Sequence, residues 1–260
     1  MCSASRSARS SQQWGWRATF AVITVVGVVA FVGIAALVPT VTPDRSGGLL
    51  RRELGAFRHG QVWVSLVLTA LIFGGMFGAF TYVEPLLTRV GGFPESAVPW
   101  LLVAFGVGLT GGNVAGGRWA DRSIDRTLGV VGALLFVVMV VIAQIAQVPA
   151  ALAILLVAMG FLGFATVPAL QTRVMRYAAG APNMASAANI AAFNGGNFLG
   201  VWLSGAAIDA GAGFRSPFWV GAGFIAAGLL LGTVGVVSAA RGGRRHVGRE
   251  AQGGDPVDEH

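Results

Sequence analysis

Ser186, Asn189, Asn197, Gly200 and Ser204 are the polar and small residues whose spacing carries most meaning in this chain. At about 100° per residue they fall within roughly 80° of one another on a helix, with Phe193 among them and Ala191, Phe198 and Trp202 pointing away. Amides facing lipid would be costly, so this stripe must face protein or a water-filled cavity. It either joins helices by hydrogen bonds or lines a route for a polar solute. Asn113 and Gln171 are weaker cases of the same kind. Glu84, in Phe80-Thr81-Tyr82-Val83-Glu84-Pro85, is the one acid set deep in an apolar run. It either carries a proton or snorkels to the nearer interface. Hydrolytic and metal chemistry have little to work with. Cys2 is the single cysteine, His59, His246 and His260 fall in loops or tails, and Ser204 has no histidine at membrane depth to activate it.

A second cluster is Gly116-Gly117-Arg118-Trp119-Ala120-Asp121-Arg122-Ser123-Ile124-Asp125-Arg126-Thr127-Leu128, between two apolar runs. Mixed charges in so short a turn either form ion pairs that hold helix ends together or simply lie in water. Asp121 with Arg173 or Arg176 is the expected pairing.

These residues are positioned by apolar segments. The 260 residues are 55% apolar and 11% charged, with a mean hydropathy of +0.71. Soluble domains carry roughly 25% charged residues, so a soluble enzyme, a disordered chain and a disulfide scaffold are excluded. What remains is an all-α, polytopic membrane bundle of about seven transmembrane helices. Read against a window of ~20 residues, the spans run about 16–38, 62–86, 98–119, 127–145, 149–171, 185–209 and 217–239. Barrel strands would alternate in polarity about every second residue, and these do not. Pro149 and Pro217 open spans, and Pro168 is expected to kink the fifth. Glycines at four-residue spacing (Gly108, Gly112, Gly116; Gly74, Gly78; Gly228, Gly232) predict close helix contacts, static or sliding.

The net charge of +7 would suit nucleic acid only on a clustered basic face. Here the arginines sit between apolar runs. Arg45, Arg51, Arg52, Arg58, Arg118, Arg122, Arg126, Arg173, Arg176 and the tail arginines share one side, against Arg89 and Arg215 on the other. The positive-inside rule places the C-terminus in the cytoplasm. Arg6, Arg9 and Arg17 then conflict with an outside N-terminus, and a chain that starts partway through a longer protein would explain the conflict. Residues 1–13 read as a polar tail without a signal peptide, 14–38 as a first span, 39–61 as a basic cytoplasmic linker, 62–240 as a six-helix bundle and 241–260 as a flexible tail.

The Gly116–Leu128 loop resembles the G-x-L-A-D-R-x-G-R-[RK] signature of major facilitator superfamily transporters. Gly117, Ala120, Asp121, Arg122 and Arg126 fit, while Trp119, Ile124 and Asp125 depart as in the copy carried by the C-terminal half. Gly15-Trp16-Arg17-Ala18-Thr19-Phe20, Phe80–Leu87 and Ala187-Ala188-Asn189-Ile190-Ala191-Ala192-Phe193-Asn194 are similar to spans six, seven and eleven of the drug:proton antiporter branch, which includes arabinose-efflux and chloramphenicol-efflux-type permeases. The resemblance implies a multi-pass protein of a bacterial inner membrane, no enzyme, holding spans six to twelve of a twelve-span transporter. It implies proton-coupled efflux of drug or sugar-like molecules, with no cofactor beyond the proton gradient. Tyr82, Glu84, Asn113, Ser186, Asn189, Asn194 and Asn197 would line the route, and Glu84 would carry the proton. Gly117, Asp121, Arg122, Arg126, Arg173 and Arg176 would form the cytoplasmic gate. The expected partners are the bilayer, a small-molecule substrate and an N-terminal-half chain, with no nucleic acid. A non-transporting fragment or pseudogene product, or one subunit of a split transporter, is the alternative.

Overall fold

The computed structural model describes residues 4–37, 55, 57–178 and 180–252, with side chains for residues 17, 20–37, 55, 57–178 and 180–235. Among these residues there are helices and turns and no strand. The chain divides into two units between Gly47 and Gly48. The first holds helix α1 (Ala4–Leu37), which takes in most of the polar N-terminal stretch. Its segment Phe20–Leu37 has a mean hydropathy of 2.7 and the length to cross a membrane. Residues 39–54 and 56 of the expected basic linker lie outside the described residues.

The second unit holds α2 (Gly60–Phe80), α3 (Val98–Arg122), α4 (Ile124–Ile145), α5 (Pro149–Tyr177), α6 (Pro182–Ala207) and α7 (Ser216–Gln252). The register between them fixes their directions. Gly74 meets Gly196 and Gly78 meets Gly200, so α2 and α6 run parallel. Gly108, Gly112 and Gly116 meet Val157, Phe161 and Ala165, so α3 and α5 are parallel too. Gly75 touches Gly221 while Leu68 lies by Gly232, which makes α7 antiparallel to α2. The helices thus alternate, as consecutive spans must. Fully buried Ile72, Met76, Leu135, Met139, Leu156, Met159 and Phe218 form the core. Trp100, Val107, Val137, Ile154 and Leu230 are exposed on the outside, a surface suited to lipid rather than water. In lipid, where the hydrophobic effect does not drive helices together, the glycine contacts supply close backbone packing instead.

Three expectations are refined. The second span was expected to run from Val62 to Leu86, but α2 stops at Phe80. The amide of Thr81 bonds the Phe77 carbonyl and that of Tyr82 bonds the Ala79 carbonyl, tightening the last turn. Short helical turns over Val83–Pro85 and Leu86–Val90 follow. Pro85, which has no N–H, cannot continue a regular ladder. α6 is long enough to span but falls short in hydropathy, because Asn183, Asn189, Asn194 and Asn197 dilute it. α7 continues to Gln252, into the stretch expected as a flexible tail. Pro168 lies inside a continuous α5, and the Thr172 hydroxyl bonds its carbonyl.

Candidate functional site

The α2–α6 pair carries most of the polar stripe, and the structure divides that stripe in two. Toward the Gly60 end of α2, Thr69 donates to Asn189 Oδ1 at 2.9 Å. The Asn189 amide donates to Gln171 of α5, whose own amide donates to Ser186 at 3.2 Å. Asn189 is completely buried. This chain of side-chain bonds ties three helices and uses both ends of the Asn189 amide. Thr69 joins it unforeseen, because a threonine on an apolar helix gives no signal until its partner helix is known.

The second part lies toward the other end. Phe77 of α2 and Thr81 just beyond it, with Asn197 and Val201 of α6 and with Phe198 and Trp202, which were expected to point away from the stripe, border an open cavity of about 450 Å³. Asn197 Oδ1 is buried and has no hydrogen-bond partner, and the same holds for Ser204 Oγ. A buried carbonyl left without a donor costs on the order of 1–3 kcal/mol, so Asn197 is primed for a donor on a ligand or a water. The Tyr82 hydroxyl donates to the Val201 carbonyl at 3.3 Å and closes this region. Beside it runs an aromatic belt. Phe73 packs edge-on against Phe193 of α6 (4.7 Å between centroids) and Phe164 of α5 (5.8 Å), and it stacks on Phe77. Phe77 continues to Phe80, which stacks on Phe105 of α3 at 4.4 Å. The spacing of Phe73, Phe77 and Phe80 along one helix face was the available signal for it.

The remaining candidates are dispersed. Asn113 is exposed on α3. Asn194 is exposed on α6, and its amide bonds the Ile190 carbonyl at 2.9 Å. Glu84 is exposed beyond the break after α2, and its backbone carbonyl accepts from the Thr88 hydroxyl.

At the other end of the bundle, α3 and α4 meet at Ser123, a single extended residue (φ −165°, ψ 107°). Asp121, Arg122 and Arg126 are exposed there, Gly117 half-buried. The expected pairing of Asp121 with Arg173 or Arg176 is corrected: Arg173 pairs with Asp125. Asp125 sits in the first turn of α4, one turn beyond Asp121, where it reaches α5. The Arg173 guanidinium, 2% exposed, also lies 5.3 Å from the Tyr177 ring. Arg176 is exposed. Neutralising a buried guanidinium in this way joins α4 to α5.

Comparison with known proteins identifies the family. Residues 85–256 match the sequence profile of the Major Facilitator Superfamily. The chain is 39% identical over 222 residues to the inner membrane transport protein YdhP of Escherichia coli, covering 84% of this chain and 55% of that protein. It is 34% identical over 220 residues to a chloramphenicol resistance protein of Streptomyces lividans (84% and 56%). It is 26% identical over 208 residues to the putative transporter AraJ of Escherichia coli (79% and 52%). The chain spans about half the length of the curated relatives it matches.

Proposed function

From the premise that this chain belongs to the major facilitator superfamily, a family of membrane transporters, we propose that it forms one wall of a path for proton-coupled efflux of small molecules, drug or sugar-like. The observation that carries this reading is the α2–α6 cavity, which combines aromatic rings with the buried, unpartnered Asn197 carbonyl. Rings offer apolar contact to a hydrophobic solute, and one amide oxygen selects for a hydroxyl or N–H donor on it. The named chloramphenicol resistance relative supports drugs as the substrate class.

In this family the route lies between two halves that rock about a site near the midplane. The α2–α6 wall therefore needs an opposing wall, supplied by a segment equivalent to the rest of the relatives or by a separate chain. Glu84 and Tyr82 stand at the end of the wall away from the α3–α4 junction, and the C-terminus is cytoplasmic in this reading. Glu84 takes up a proton there and releases it on the far side as solute moves outward. The gate is the α3–α4 junction, with Arg122 and Arg126 at its surface and the Asp125–Arg173 pair beneath. The proton gradient is the only coupling source.

The test is chloramphenicol accumulation in a drug-sensitive bacterium producing the chain, with and without Glu84→Gln. The proposal expects lower accumulation with the chain, reversed by Glu84→Gln and by a protonophore. Unchanged efflux in the variant removes Glu84 from coupling. Equal accumulation with and without the chain leaves the second reading, a non-transporting fragment or a subunit that needs its other half.

A further inference from the structure

A groove runs along the outside of the bundle from the α3–α4 junction, with a volume of about 390 Å³. Its mouth is formed by Trp119, Arg122, Ser123, Arg126 and Thr127, and its walls by Val130, Val131 and Leu134 of α4 and Leu162 of α5. We infer that this groove holds one anionic glycerophospholipid of the surrounding bilayer.

Charge at the mouth favours an anion. Asp125 is taken by Arg173. That leaves Asp121 as the single free-standing carboxylate of the junction, against Arg118, Arg122 and Arg126. Two further donors face the same place. The Ser123 side chain makes no capping bond to α4, so the first-turn amides of this 22-residue helix have no side-chain acceptor and suit a phosphate. The hydroxyl of Thr127 lies one turn further along.

The apolar part has the depth of one leaflet. Thr127, Val130, Val131 and Leu134 recur on one face of α4. From Ser123 to Leu134 the helix rises about 16 Å, close to half of the ~30 Å hydrocarbon core. Val130 and Leu134 are 54% and 50% exposed, surface that an acyl chain covers. The junction itself must sit at an interface, because α3 and α4 turn back on each other across one residue. A free phosphate would leave the apolar walls uncovered, and a zwitterionic lipid would leave the arginines unmatched. Basic pockets between membrane helices meet anionic headgroups by this combination.

The full chain, purified in mild detergent, can be titrated with phosphatidylglycerol or phosphatidylcholine and read by native mass spectrometry. The inference expects one retained phosphatidylglycerol, preferred over phosphatidylcholine. Arg122→Gln with Arg126→Gln lowers that preference roughly thirtyfold, the weight of two arginines at an anionic surface. Leu134→Trp, which fills the groove and keeps both arginines, lowers phosphatidylglycerol retention as well. Removing the same charge elsewhere, by Arg89→Gln with Arg215→Gln, leaves the preference intact. An unchanged preference in the groove arginine variant, equal loss in the Arg89/Arg215 variant, or full retention in Leu134→Trp overturns it.

Discussion

The α3–α5 and α2–α6 seams are both parallel helix pairs joined through glycines, yet they are held by different physics. At α3–α5 the contacts are backbone against backbone, with Trp119 set edge-on to Phe161 at 6.1 Å. A Cβ on Gly112 would come 2.8 Å from the Phe161 Cα, so this seam tolerates neither a larger residue nor much sliding. At α2–α6 a Cβ on Gly78 would come 2.6 Å from the Gly200 carbonyl carbon, so glycine packing is as tight there. The same seam also carries the Thr69–Asn189–Gln171–Ser186 bonds at one end and the unpartnered Asn197 and Ser204 groups at the other. One seam is saturated; the other keeps polar capacity in reserve. That reserve is what a solute path requires and a structural joint does not.

Three substitutions sharpen the contrast, the largest effect first. Gly112→Val forces backbone apart at the saturated seam, and overpacking of this kind costs about 3 kcal/mol. The expected result is little monodisperse protein in detergent and a lowered melting temperature. Asn189→Ala removes one partner from Thr69, which still reaches the Ser65 carbonyl, and one from Gln171, which still reaches Ser186. Interhelical bonds in membranes are worth about 0.6 kcal/mol each and up to about 1.7, so a loss of about 1–2 kcal/mol is expected in an unfolding titration. Asn197→Leu removes an amide whose oxygen has no partner, and its stability should stay within about 0.5 kcal/mol of the parent. Drug efflux should nevertheless fall in that variant. A large stability loss at Asn197 instead would make it a structural joint like Asn189 and erase the distinction between the two ends of the seam.

Much of the fold was legible in the sequence because lipid imposes length on every span and apolarity on most of them, and keeps charge toward their ends. The glycine repeats likewise announced both seams. What could not be read was what stands opposite each residue. Asn189 and Asn197 share one helix face, and only the neighbour decides that the first meets Thr69 while the second meets no donor. Asp121 and Asp125 are one turn apart on adjoining helices, so sequence spacing could not choose which of them reaches Arg173. The break after Phe80 was hidden because Thr81, Tyr82 and Val83 read as apolar continuation, with Pro85 the only warning. The aromatic belt escaped notice because phenylalanines in a span look like ordinary lipid contacts until Phe164, Phe193 and Phe105 from other helices are seen to meet them.

Water at the α2–α6 wall is the central claim, and thiol labelling reads it directly. With Cys2 changed to Ser, single variants Thr81→Cys, Asn197→Cys and Val201→Cys, all bordering the α2–α6 cavity, in a bilayer are exposed to a membrane-impermeant maleimide, which reacts with thiolates only in water. Val137→Cys, on the exposed apolar face of α4, is the lipid-facing reference. The wall positions should react at least tenfold faster than Val137→Cys. Equal, slow labelling at all four would mean that the wall faces lipid, and the solute path would have to be given up.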